Sequence, residues 1–284
     1  MSSQVLDPLA TVAAPPPVGP SRPSSSRVTA VARRLLGWAI SFAVVLGTWQ
    51  LFLIFFHVNH FIGRGPVDVW RYVTSSDQAG AARSRLLHNS ATTLKDAFVG
   101  LAAGTGAAVL CAIAFNLRRS VEQTFMPIAM VLRSVPLVAM TPLIALVFGR
   151  GLMCVTIVAG IVTFFPTLVN VTLALRSTPQ SSLDLFQAYG ASRFETLRKV
   201  QMPSALPSLF ASLRVAAPLA LVGAVLVEFL VTGAGLGYLI ETSMASSIYN
   251  QLWAAVALVT MYSIVLYTVI AGIEKRVLAR FSDT

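Results

Sequence analysis

The chain reads as an all-α integral membrane protein with about six transmembrane helices. Two observations carry that reading. Of its 284 residues, 56% are hydrophobic and only 11% charged, against roughly 25% charged in a soluble domain. So few polar groups cannot cover a water-exposed surface, and a lipid bilayer is the solvent that fits. The charge is also clustered between long apolar runs: residues 135–148, for example, contain none.

The net charge of +10 does not point to nucleic acid. The basic residues fall between apolar runs, where anionic headgroups and membrane orientation account for them. Cys111 and Cys154 lie inside apolar runs with no CxxC and no neighbouring His, so they read as small buried hydrophobes. His57 and His60, with His88 further on, have no Cys or matched carboxylate beside them. They read as interfacial residues and not as a metal site.

Residues 1–30 are rich in Pro, Ser and Ala, with no hydrophobic period, and read as a disordered cytoplasmic tail. The remaining 31–284 form one membrane domain. Its first apolar run, 38–56, is longer than the ~7–15 residues of a signal-peptide core, so it is expected to remain as a first span. The second span is expected over 91–115, where Gly100, Gly104 and Ala108 offer a small-residue face to another helix. The third, over 121–148, holds Pro127, Pro136 and Pro142 and is expected to be one kinked helix. The fourth is expected over 152–175, the fifth over 207–231 and the sixth over 252–273. With the N-terminus inside, thirteen Lys and Arg fall in inner segments and five in outer ones, which favours both termini in the cytoplasm.

The longest inner segment, 177–206, looks folded. Thr178 is expected to cap a helix beginning at Pro179, with Leu183, Phe186 and Tyr189 as its apolar stripe and Gly190 ending it in the left-handed conformation. Ser192 to Glu195 forms a capping box that starts a second short helix. Phe194, Leu197 and Val200 form its apolar face, and Pro203 is expected to stop it. A plain connector would be shorter, about 2–8 residues. Two readings stand: a docking element for a cytoplasmic partner, or an amphipathic helix resting on the bilayer.

Asp184-Leu185-Phe186, three residues to Gly190, then nine to Val200-Gln201-Met202-Pro203 resembles the EAA loop of ABC importer permeases. Gly190-Ala191-Ser192 also matches; Asp184 replaces the usual Glu, and Leu185-Phe186 the two alanines. Leu132 to Pro136 leading to Thr141-Pro142-Leu143, the run Phe164 to Asn170, and Glu228-Phe229 followed by Gly235 to Ile240 resemble the nitrate/sulfonate/taurine subfamily. The resemblance covers about residues 40–280. It implies the helical type I importer permease (MetI-like) fold in the cytoplasmic membrane of a prokaryote. It also implies a second copy of the permease as homodimer partner, two cytoplasmic ATP-binding subunits on the 177–206 loop, and an extracytoplasmic solute-binding protein.

The chain itself fits such a division of labour. Its three lysines, Lys95, Lys199 and Lys275, do not stand in G-x-x-x-x-G-K-[ST], so the phosphate loop of an ATPase is missing. No cofactor is expected on this chain, and ATP with Mg is expected on the partner subunit. A charge at mid-membrane costs about 2.5–3.5 kcal/mol and needs a compensating role. Arg133 either lines the cavity and attracts an anion or pairs with carbonyls freed by Pro127 and Pro136. Pro136, Asn170 and Glu228 complete the candidate pathway or gate, with Glu228 at a depth that suits pairing with Lys95. Arg214 is expected to snorkel to the cytoplasm. An ion-gradient-driven secondary transporter is the rival reading; a membrane-bound enzyme lacks a convergent polar constellation in the spans.

Overall fold

The computed structural model describes residues 26–75, 77 and 79–282. Residues 1–25 of the expected tail lie outside them. All regular structure among the described residues is helical: α1 (Ser26–Phe55), α2 (Pro66–Thr74), α3 (Ala79–Leu117), α4 (Arg119–Ser134), α5 (Leu137–Phe148), α6 (Leu152–Arg176), α7 (Gln180–Ala188), α8 (Arg193–Thr196), α9 (Met202–Val227), α10 (Gly235–Ala245) and α11 (Tyr249–Ser282). Two π-helical segments, Leu197–Gln201 and Glu228–Thr232, flank α9. Four described helices are long and apolar enough to cross a membrane: α3, α6, the run Arg193–Thr232 and Tyr249–Ala279. Two shorter apolar stretches, Ala39–Phe55 and Leu137–Phe148, fall in the expected first and third spans. The chain divides into two compact units, Met1–Phe52 and Leu53–Thr284. The first contains most of α1, and the second holds everything that follows.

Within the second unit, α3, α6 and α9 form the central bundle, and small residues decide how closely they pack. Gly100, Gly104, Ala108 and Ala112 recur every fourth residue and are all buried, one stripe down one face of α3. The stripe meets Ala159, Gly160 and Thr163 of α6, and a side chain on Gly104 would run into Gly160 and Thr163. Gly223 brings α9 against Ala159 and Val162 in the same way. In lipid the apolar side chains gain little by leaving their solvent, so close van der Waals approach drives such association.

Three clusters fill the unit. The central one joins Val155, Val158, Ala220, Leu221 and Ala224. A second, toward the 177–206 loop, holds Phe115, Leu168, Leu175, Leu197 and Ala205. A third, at the opposite end, packs Leu86 against Leu236, Leu239 and Ala255. At that end Tyr72 of α2 donates its hydroxyl to Gln251 at 3.2 Å, and the Trp253 indole donates to the Ile62 carbonyl at 2.8 Å.

Two expectations change. The third span is broken, not kinked: α4 ends at Ser134 and α5 begins at Leu137. Pro136 has ψ 118°, lacks an N–H, and disfavours helical geometry at Val135 before it. Pro127 and Pro142, by contrast, remain inside their helices. The second correction is that Pro203 stops nothing, because the helix runs unbroken from Arg193 to Thr232. Pro203 stands in the first turn of α9 directly after a π segment, and the helix carries it as α4 and α5 carry Pro127 and Pro142. Arg214 reaches from α9 to α11: its Nε is 3.0 Å from Glu274 Oε2.

The glycine seam makes a direct prediction. Gly104→Val should destabilise the protein by about 1–3 kcal/mol through overpacking, read as a lowered Tm in lipid nanodiscs. Gly106→Ala, where a Cβ meets nothing within 4 Å, should leave the Tm unchanged or raise it.

Candidate coupling loop and pathway wall

The loop between α6 and α9 is built by local backbone chemistry. Its first helix, α7, ends in a Schellman motif. Gly190 has φ +72°, its N–H donates to Gln187 O at 3.0 Å, and the Ala191 N–H donates to Phe186 O at 3.0 Å. These bonds satisfy carbonyls that a helix end leaves open. The chain then enters the capping box. The Glu195 N–H donates to Ser192 Oγ at 3.2 Å, and the Ser192 N–H donates to Glu195 Oε2 at 3.1 Å. Lys199 Nζ approaches Glu195 at 3.5 Å.

The start of the loop differs from expectation. Pro179, not Thr178, occupies the N-cap of α7. Thr178 instead donates its hydroxyl to Leu175 O at 3.1 Å, because the last turn of α6 has open carbonyls of its own to satisfy.

The apolar residues of the loop separate into two sets. Tyr189, Phe194 and Leu185 are 84%, 62% and 54% exposed. Leu197 is 2% exposed and packs under the loop with Phe115, Leu175 and Ala205. Leu197 therefore cannot be a contact surface; it anchors the loop to the bundle. Phe186 and Val200 are half-buried, Asp184 is exposed, and the Gln180 amide donates to the Asp184 carboxylate at 2.8 Å. Pro203, half-buried, belongs to the span that follows. At the base of the loop Arg176 forms an ion pair with Glu122 of α4.

Of the four candidate pathway residues, the three whose side chains are described do not share one site. Asn170 is exposed and lines a groove of about 460 Å³ together with Leu137, Met140, Ile161, Phe165 and Leu219. Pro136 is exposed at the α4–α5 break, beside that groove's Val135 and Leu137. Met140, Ile161 and Phe165 also line a neighbouring cavity of about 370 Å³ that extends to Gly104 and Thr156. The Arg133 side chain lies outside the described residues.

Glu228 is elsewhere. It is 1% exposed, opens the second π segment and turns back onto α10. Its Oε2 accepts the Thr93 hydroxyl at 2.8 Å and the Gly237 N–H at 3.0 Å. Thr93 Oγ1 accepts the Leu236 N–H at 2.8 Å, and Asn89 Oδ1 accepts the Gly235 N–H at 3.1 Å. Three side chains thus cap the first turn of α10, which has otherwise unpaired N–H groups. Gly235 at φ +91° and Gly237 leave no room for side chains beside the carboxylate. Glu228 is thereby withdrawn from any solute-lining role, and its carboxylate meets Thr93 and Gly237 instead of Lys95. Lys95 is exposed: two residues past Thr93 on a helix, it faces another side. Asn89 and Thr93 carry no periodic signal, and only their position one turn apart, where a span begins, sets them apart in the sequence.

Removing one partner from this clasp leaves the others buried and unpaired, at about 1–3 kcal/mol. Thr93→Val and Glu228→Ala should each lower the Tm accordingly and speed hydrogen exchange at Leu236 and Gly237. Thr93→Ser, which keeps the hydroxyl, should not.

Residues 104–283 match the family described as binding-protein-dependent transport system inner membrane component. The riboflavin transport system permease protein RibX of Chloroflexus aurantiacus is 37% identical over 163 residues, covering 57% of this chain and 60% of that protein. This chain therefore spans less than two thirds of that relative. A probable ABC transporter permease protein of Haemophilus influenzae is 28% identical over 82% of this chain and 93% of its own length. The fold is similar to that of a chain in the inward-facing MetNI methionine ABC transporter, with a TM-score of 0.61 at 19% identity, covering 69% of this chain and 97% of that one. The all-helical bundle, the membrane-length apolar helices and a family match spanning more than half of the residues agree: this chain belongs to the inner membrane components of binding-protein-dependent transport systems, the permeases of ABC importers.

Proposed function

We propose that this chain forms half of a solute pathway across the cytoplasmic membrane, completed by a second copy and opened alternately to the two sides. Two ATP-binding subunits dock on α7 and α8 and supply the energy, with ATP and Mg bound on them. An extracytoplasmic binding protein delivers the solute at the α10 end. Both termini are cytoplasmic, in keeping with the thirteen-to-five distribution of basic residues. In this reading nucleotide-driven movement of the partners displaces the loop, and the bundle shifts between two states of different stability.

The observation that carries the proposal is the loop. Leu185, Tyr189 and Phe194 are exposed on it, although α7 is closed at its C-terminus and α8 capped at its N-terminus, and its base is held by Leu197 and the Arg176–Glu122 pair. An anchored element presenting aromatic side chains has the anatomy of an interface hot spot. The spacing of Asp184, Gly190 and Pro203 matches the EAA pattern as well.

The solute is small, within the range of nitrate, a sulfonate, taurine or a vitamin precursor. The groove wall of Met140, Ile161 and Phe165 with the Asn170 amide suits a ring better than a bare oxyanion, because burying an unpaired charge is costly. The relative named for riboflavin transport points the same way.

Proline cannot adopt the φ of +72° found at Gly190. Gly190→Pro should therefore abolish ATP-coupled uptake while leaving a membrane-inserted protein, and full uptake with full ATP-binding-subunit association would refute the docking role. Phe194→Ala should weaken that association by about 2 kcal/mol, roughly thirtyfold, measured by titrating the ATP-binding subunit onto the permease in nanodiscs.

A further inference from the structure

Gln201 stands where three elements meet. It is the last residue of the first π segment, the point where the loop becomes α9. Its side-chain Nε2 donates to Leu175 O at 3.2 Å, and its Oε1 accepts the Asn116 amide of α3 at 2.7 Å. The orientation of the amide is fixed by its partners: a carbonyl can only accept, so the nitrogen must face Leu175 and the oxygen Asn116. Leu175 belongs to the last turn of α6, whose carbonyls have no partner within the helix, and it also accepts from Thr178. One side chain therefore joins the end of the loop to its beginning and both to α3. Immediately beneath, Leu197 and Leu175 are buried with Phe115 of α3. A π-helical turn is a local deformation that an uninterrupted α-helix avoids, and such turns are frequent at functional sites.

We infer that Gln201 is a positioning residue for coupled transport. It locks the exit of the 177–206 loop to α3 and α6, so that displacement of the loop moves those two helices together with α9. The inference rests on the docking role proposed for the loop. Without the lock, α9 would still follow the loop through its continuous backbone, but α3 would be driven only by side-chain packing. Asn116 shares the role, since its side-chain amide holds α3 to Gln201.

The test uses the full-length permease with its ATP-binding subunits in nanodiscs, carrying a spin label at Leu87→Cys on the far end of α3 in a background with Cys111 and Cys154 replaced. The distance between the labels of the two copies is measured before and after trapping with ATP and vanadate. Gln201→Leu and Asn116→Leu should reduce the ATP-dependent shift in the equilibrium about two- to thirtyfold, with subunit copurification and basal ATP hydrolysis unchanged. The exchanged pair Asn116→Gln with Gln201→Asn should recover part of the shift, which a purely structural role does not require. Should Gln201→Leu fail to insert, Asn116→Leu, which retains the bond to Leu175, decides the matter. A full shift in an inserted variant lacking the Asn116–Gln201 bond overturns the inference while leaving the docking role intact. Failure of the parent to retain ATP-binding subunits overturns the docking role, and the inference with it.

Discussion

The structure depends on how closely the backbones of α3 and α6 approach. Lipid offers no hydrophobic reward for joining two apolar helices, so attraction must come from contact at van der Waals distance, each atom pair adding only about 0.1–0.2 kcal/mol. Gly100, Gly104 and Gly160 let whole helical turns meet, and α9 closes on the same seam through Gly223. The central cluster forms around this three-helix contact, and the shorter elements attach to its two ends.

The side-chain ties lie where the seam ends. Toward the loop, Asn116 and Gln201 join α3 to the start of α9; at the far end Thr93 and Glu228 join α3 to its finish. Both ties fall on π segments. Between them run the 26 residues of α9, a separation of some 40 Å at about 1.5 Å per residue. The pairing is physically sensible: glycine contacts supply attraction without register, whereas a hydrogen bond between particular side chains specifies one register and excludes its neighbours.

Much of this was legible in the sequence, for reasons that differ by element. The four membrane-length helices follow from composition and length alone. The Gly190 turn and the Ser192–Glu195 box follow from chemistry confined to a few residues, and the structure contains both. Proline was harder to read. Its effect depends on the backbone around it: Pro127 and Pro142 are absorbed, Pro136 breaks a span, and Pro203 is harmless in a first turn. The pairing expected of Glu228 with Lys95 was argued from depth, which gives height along a helix but not the direction a side chain faces. Asn116, Gln201, Asn89 and Thr93 are single polar residues whose partners lie far away in the chain, and no local pattern marks them.

The burial of Leu197 beneath exposed Phe194 has one more implication. Any protein that grips the surface of the loop also bears on the interior of the bundle, since one short helix presents both faces. Free energies of binding are reciprocal. If such a grip favours one arrangement of α3, α6 and α9, that arrangement must in turn tighten the grip, and anything that stabilises the arrangement from within the bundle would be felt as a change in affinity at the loop. The buried and exposed faces would then report to each other in both directions.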